Sequence, residues 1–254
     1  MATRQERRVT FDQVAESYNR HRPGYPEQLI DDIVTLAGIT SRAHILEIGC
    51  GPGKATPLFA RRGYSMTCLE PGLQLAEIAK QHLTAFPDVR IVTTTFEEWE
   101  PDRSDIALVV AAQSFHFIEP ESGLRKVARC LAPGGSAAIF GNHPQIASGE
   151  ARDRVQLAYE RLAPELSESR GDEPLEDWID GTGLFGTVLM ARYPWQATYS
   201  AADYVGLIGT YSDHRLLPPG PRAELFEAIQ AVIENAGGTI SIDYVTRLHL
   251  ARRR

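Results

Sequence analysis

Residues 45–56 read ILEIGCGPGKAT, an apolar run that enters three glycines at alternate positions, Gly49, Gly51 and Gly53. Glycine tolerates positive φ and lets a ligand approach the main chain where a Cβ would collide. A helix starting just beyond such a loop offers unpaired amides to an anionic group. The next apolar run ends at Glu70, 21 residues after Gly49. A carboxylate at the tip of a neighbouring strand can accept hydrogen bonds from the two hydroxyls of a ribose. Together the loop and the acid point to a nucleoside ligand.

The loop departs from other nucleotide fingerprints. The dinucleotide pattern GxGxxG needs a glycine where Lys54 stands, and a phosphate-binding P-loop needs GxxxxGK[ST], which GPGKAT lacks. A nicotinamide-dependent oxidoreductase is therefore the second reading, opposed by Lys54. A third is a binding protein that holds its cofactor without turnover, since a glycine loop and a ribose acid report binding alone.

These residues must be positioned by alternating strands and helices. Strands are predicted at His44–Ile48, Ser65–Glu70, Val89–Thr94, Asp105–Ala112 and Ser136–Phe140. Between them lie helical patterns: Leu29, Ile30, Ile33, Val34 and Ala37 from Pro26 to Gly38, a helix after Gly53, then Leu75, Ile78, Ala79 and Leu83, and Leu124, Val127, Ala128 and Leu131. Such βαβ units build a parallel sheet covered by helices on both faces, with ligands beyond the carboxyl ends of the strands. After Gly141 the pattern loosens into helices near 152–162, 201–208 and 222–235, a strand near 188–193 and a final β-rich run at 239–250.

At this point the chain resembles the class I S-adenosylmethionine-dependent methyltransferases. LEIGCGPGKAT is similar to their first motif, which carries Glu47, Gly49, Cys50, Gly51 and Gly53. Glu70-Pro71 is similar to the acidic second motif, with Leu75 in the helix behind it. Thr95-Phe96-Glu97 is similar to the loop that meets adenine. DIALVVAAQSFHFI (105–118), with Ala111, Ala112 and Gln113, resembles the strand and loop at the methyl-transfer centre, and LAPGGSAAIF (131–140) the later turn and strand. The resemblance runs closely over residues 10–141 and loosely beyond.

It implies a Rossmann-like, doubly wound α/β fold: a mostly parallel seven-stranded sheet with an antiparallel last strand and inserted helices covering the site. It also implies S-adenosyl-L-methionine as cofactor. The glycines would pass its methionyl and ribose parts, Glu70 would hold the ribose, and Phe96 would supply an amide and a ring at adenine. Many relatives carry an acid where Thr95 stands, and its hydroxyl is a weaker, uncharged acceptor. FDQVAESYNRHRPGYP (11–26) is similar to the amino-terminal cover of the trans-aconitate methyltransferase-like, small-molecule branch. There Tyr18 and Arg22 would close over the cofactor, with the guanidinium near its carboxylate. A single domain over 1–254 is expected: cover 1–26, cofactor-binding core 27–141, and sheet completion with substrate-covering helices 142–254.

Methyl transfer is an in-line displacement, and a base is needed only where the acceptor arrives protonated. His116, in Gln113-Ser114-Phe115-His116 after the fourth strand, is the candidate base or substrate anchor, with Gln113 beside it. Its apolar neighbours are equally compatible with a packed core histidine. His143, past the fifth strand, and Tyr211 and His214, in YVGLIGTYSDHR, are candidate substrate residues; packing of an amphipathic helix is the alternative for that segment.

Composition bounds the partners. With 43% hydrophobic and 23% charged residues the chain is an ordinary globular sequence. A net charge of −7 gives no general attraction for nucleic acid. The opening MATRQERR lacks an apolar segment, no membrane span is predicted, and three scattered cysteines suggest neither disulfides nor zinc. A cytoplasmic enzyme acting on a small-molecule acceptor is expected, without metal, nucleic-acid or membrane partner and with its oligomeric state open.

Overall fold

In a computed structural model the protein is described over residues 11–103, 105–167 and 174–254. The basic opening stretch lies outside these residues. Seven strands, β1 (His44–Ile48), β2 (Ser65–Leu69), β3 (Val89–Val92), β4 (Ile106–Ala112), β5 (Leu131–Ile146), β6 (Leu189–Ser200) and β7 (Thr239–Arg252), form one sheet in the order β3-β2-β1-β4-β5-β7-β6. Strands β1 to β5 pair in parallel, and the last strand of the chain, inserted between β5 and β6, is antiparallel. This is the architecture that the motifs imply.

The helices described are α1 (Ala15–His21), α2 (Glu27–Ala37), α3 (Thr56–Ala60), α4 (Leu73–His82), α5 (Pro120–Cys130), α6 (Glu150–Leu162), α7 (Pro164–Ser167), α8 (Leu175–Gly181), α9 (Ala201–Ile208), α10 (Ser212–Arg215) and α11 (Pro219–Asn235). Local chemistry explains their ends. Gly38 closes α2 in a left-handed conformation at φ 63°, donating its amide to Val34 and Thr35 carbonyls. Glu119 caps α5 by accepting from the amides of Glu121 and Ser122, and Pro120 takes the first helical position, where no N–H is required.

Two strands outrun the sequence expectation. β5 begins at Leu131 because Pro133, Gly134 and Gly135 do not separate it from α5. Leu131 pairs with Ile106 and Ser136 with Leu108, so the intervening residues form a bulge within the strand. β6 continues through Pro194 to Ser200. It is an edge strand, where a missing N–H is tolerated.

The described residues group into two compact units. The core unit contains 23–142, 174–193 and 246–254; the second contains 11–22, 143–167 and 194–245. The chain passes from one to the other within β5, β6 and β7. In the core unit, one apolar cluster joins Ile30, Ile33, Ile45, Phe59 and Met66, and another joins Leu46, Phe96, Val109, Phe115 and Leu124. The second unit has its own cluster, with Val155, Tyr204, Leu207, Ile229 and Tyr244.

Buried Asn142, the last core-unit residue of β5, is a polar knot. Its Nδ2 donates to the Gly24 carbonyl (2.9 Å), and its Oδ1 accepts from Thr246 Oγ1 (2.6 Å). An unmatched buried acceptor costs more than the net value of the bond it loses. Asn142→Ala is expected to lower unfolding free energy by about 2 to 6 kcal/mol, the sum for two buried partners left unmatched. Equilibrium urea melts check this, and a loss under about 0.5 kcal/mol would remove the knot from the fold's support.

Candidate active site

The parallel register of β1 with β2 sets the site. Glu47 lies opposite Cys68 and Ile48 opposite Leu69, so the glycine loop leaves β1 beside Glu70 at the end of β2. Gly49, Gly51 and Gly53 all have positive φ, at 67°, 57° and 83°. At Gly49 space is lacking as well: a Cβ there would lie 2.7 Å from Ser114 Cβ. The Ser114 hydroxyl in turn donates to the Ile48 carbonyl, tying the loop after β4 to the end of β1.

The Glu70 carboxylate is held from two sides. The Gly51 amide donates to Oε2 (2.9 Å) and the Gly72 amide to Oε1 (2.8 Å). Each oxygen of a carboxylate can accept more than one hydrogen bond. Pro71 makes the turn between Glu70 and α4, and Leu75 is buried in the first turn of that helix.

Glu47 is wholly buried, two residues before Gly49. Its Oε2 accepts from Thr56 Oγ1 (2.7 Å) and from Cys68 Sγ (3.7 Å), whereas Oε1 has no partner. Burial pushes its pKa up to about 7, against the pull of the Thr56 and Cys68 bonds, and Glu70 adds to the rise. Cys50 and Cys68 are buried free thiols, both pushed up in pKa, so neither is a ready nucleophile. An orphaned carboxylate oxygen under a loop stripped of side chains, next to a fixed second carboxylate, fits a ligand with a cationic donor at one end and a ribose at the other. S-adenosylmethionine has both.

Comparison with known proteins agrees. Residues 45–135 match the family described as "Methyltransferase domain". An uncharacterised methyltransferase of Mycobacterium tuberculosis is 24% identical over 250 residues, 96% of each chain. A trans-aconitate 2-methyltransferase of Delftia acidovorans is 29% identical over 113 residues, 42% of this chain and 41% of its own. Among solved structures, Haemonchus contortus phosphoethanolamine N-methyltransferase 2, in complex with phosphomonomethylethanolamine and S-adenosylhomocysteine, aligns at TM-score 0.57 with 13% identity. That alignment covers 95% of this chain and 57% of the other. A protein of Anaeromyxobacter dehalogenans named as a type II methyltransferase aligns at TM-score 0.63, with 20% identity over 91% and 97%.

Residues 45–135 of the chain carry a methyltransferase domain.

The remaining sequence candidates of this methyltransferase divide between the two units. In the core unit, Thr95 builds a turn: its hydroxyl donates to Glu98 Oε2 (2.8 Å) and accepts from the Glu98 amide (3.1 Å). Phe96 is 3% exposed and packed in the core. Glu97 is exposed and uses its carbonyl as an acceptor for Lys126.

Ala111 and Ala112 end β4. Gln113 follows at φ 58°, the one described non-glycine residue with positive φ, and its side-chain amide is paired with the Asn142 main chain. His116 lies half-buried on the 3₁₀ turn Phe115–Phe117, its ring 3.9 Å from that of Phe117.

In the second unit, Arg22 donates from Nε to Thr210 Oγ1 (2.8 Å) and from Nη2 to the Thr210 carbonyl (3.1 Å). Its guanidinium stands 5.1 Å from the Tyr18 ring centroid and 4.3 Å from that of Tyr211. Burial pushes the Tyr211 pKa up to about 12, against the nearby Arg22 charge. His214 is buried, bonded through Nδ1 to Asp213 Oδ1 (2.9 Å) and through Nε2 to the Tyr159 hydroxyl (2.8 Å). His143 is exposed.

Sequence reasoning missed Tyr159, Asn142 and Lys126. Tyr159 carried no local signal. Lys126 did, because it lies on the buried stripe Gly123, Lys126, Val127, Cys130, where a cation is out of place.

The raised pKa of Glu47 has a definite sign. Between about pH 4.5 and 7 the folded chain keeps a proton that the unfolded chain has released, so ligand-free stability falls as pH rises through that window. Glu47→Gln removes the cost. It is expected to stabilise the ligand-free protein at pH 8 by up to about 3 kcal/mol and to change nothing at pH 4. Urea melts across this range test it, and parallel pH profiles for the two proteins would refute it.

Proposed function

We propose that this methyltransferase transfers the methyl group of S-adenosylmethionine to a small-molecule acceptor. The observation that carries the reading is the Glu70 carboxylate, held by the Gly51 and Gly72 amides at the mouth of a left-handed glycine loop. When bound, the cofactor supplies an electrophilic methyl on a sulfonium. The chain's own contribution is then mainly alignment, worth on the order of 7 to 11 kcal/mol where reacting atoms are well placed.

Glu70 holds the ribose hydroxyls, Glu47 Oε1 accepts from the ammonium of the methionyl group, and the glycines exclude side chains from its path. The turn at Thr95, Phe96 and Glu97 meets adenine, chiefly through main-chain groups. Ala111 and Ala112 line the end of β4. Gln113 shapes the floor there, because its amide is already committed to Asn142. His116 anchors the acceptor and takes its proton where one must leave. Tyr18 and Arg22 form a carboxylate-binding pair, with the guanidinium near the Tyr18 and Tyr211 rings. Tyr211, His214 and His143 serve the acceptor, and His214 acts with Tyr159 and Asp213.

A net charge of −7 supports a small molecule over a nucleic acid. Among the described residues no helix is long and apolar enough to cross a membrane. Three buried free thiols suit a reducing compartment, and a cytoplasmic location belongs to the proposal.

Glu70→Ala should weaken S-adenosylhomocysteine binding by roughly 1.5 to 3 kcal/mol, the scale for charged hydrogen bonds. Calorimetric titration measures it. Unchanged affinity would take Glu70 out of the site, and NAD binding in place of S-adenosylhomocysteine would overturn the reading.

A further inference from the structure

Lys126 is a lysine in the wrong place for a surface charge. On α5 its side chain is 9% exposed, and all three ammonium protons are used: Nζ donates to the Glu97 carbonyl (3.0 Å), to the Trp99 carbonyl and to Glu100 Oε1 (3.3 Å). The same ammonium stands 5.3 Å from the centroid of the Phe96 ring. Burying a cation is costly, and apolar side chains of similar volume often stabilise a core as well or better. The neighbours here, Leu124, Val127 and Ala128, are of that apolar kind. What an apolar residue does not do is gather two main-chain carbonyls of an irregular turn onto one point.

That turn comprises residues 95–100. The Thr95 hydroxyl and carbonyl bind the amides of Glu98 and Trp99 from one side. Lys126 draws the Glu97 and Trp99 carbonyls from the other. The helix carrying Lys126 is itself fixed to the loop after β4. A Cβ on Gly123 would come within 2.5 Å of Ile118 Cγ2, and Phe96, Phe115, Ile118 and Leu124 share one buried cluster.

We infer that Lys126 is a positioning residue that sets selectivity for the adenine base, by holding the 95–100 turn in the one shape in which its main-chain groups read the base edge. The inference rests on the reading that this turn meets adenine, and it goes beyond it by naming the group that enforces the turn from another element.

The test is calorimetric titration of S-adenosylhomocysteine and S-inosylhomocysteine, which differ at the exocyclic position of the base, into wild type, Lys126→Met, Lys126→Arg and Glu70→Ala. Wild type is expected to prefer the adenosyl ligand. Lys126→Met should lose about tenfold of that preference. Lys126→Arg, which keeps the charge on a planar fork that does not converge three donors on one point, should fall between.

Glu70→Ala should weaken both ligands alike and leave their ratio intact. A merely structural role for Lys126 lowers stability without moving the ratio. An unchanged ratio in Lys126→Met, or in Lys126→Arg should the methionine variant not fold, overturns the inference while an affected Glu70→Ala leaves the cofactor reading standing. Absence of preference in wild type defeats the adenine reading and the inference with it.

Discussion

The site depends on one charged clasp, in which the carboxylate at the end of β2 is bonded by a loop amide at Gly51 and a turn amide at Gly72. Hydrogen bonds to an ionised acceptor are short and strong, and here they join the glycine loop to the turn at the end of β2. Glu70 therefore acts before any ligand arrives. It ties the glycine loop to the end of β2.

The same strand pair carries the opposing tension. Glu47 lies on β1 within the same buried layer, one of its oxygens has no partner, and burial has moved its pKa toward neutrality. A fold selected for stability alone has no use for such a group. Glu47 lies two residues before Gly49, near the end of the strand that leads into the glycine loop, and carries there the cost of an unpartnered buried acceptor. The loop geometry and the orphaned oxygen thus point to the same ligand for independent reasons, one steric and one electrostatic.

How much of this was legible beforehand follows from the range of each interaction. The glycine loop, Glu70 and the βαβ order act over short stretches of chain, so spacing and periodicity reveal them. His44–Ile48 was legible to the residue because every position in a central parallel strand is buried. Interactions across long sequence separations left no such trace. Asn142 meets Gly24 and Thr246, 118 and 104 residues away. Each of the two compact units is likewise assembled from three separate segments. The interior placement of the Phe96 ring depends on packing that no local pattern encodes, whereas Lys126 broke an amphipathic stripe and was legible in principle.

Gln113 shows how a local exception organises the carboxyl edge of the sheet. β4 and β5 pair as far as Ala112 and Phe140, and the Gln113 amide still donates to the Phe140 carbonyl (2.7 Å). There the backbone turns left-handed, a conformation that costs energy for a residue with a Cβ. The side chain takes over the ladder that the main chain abandons. Gln113 Oε1 accepts from the Asn142 amide (2.8 Å) and Nε2 donates to the Asn142 carbonyl (3.2 Å), so β5 finds its next pairing partner in a carboxamide instead of a strand. The consequence is a branch point. β5 continues to Ile146, while the chain after β4 runs into the loop that carries Ser114 and His116. The chain leaves the sheet at one strained residue whose side chain keeps the neighbouring strand paired.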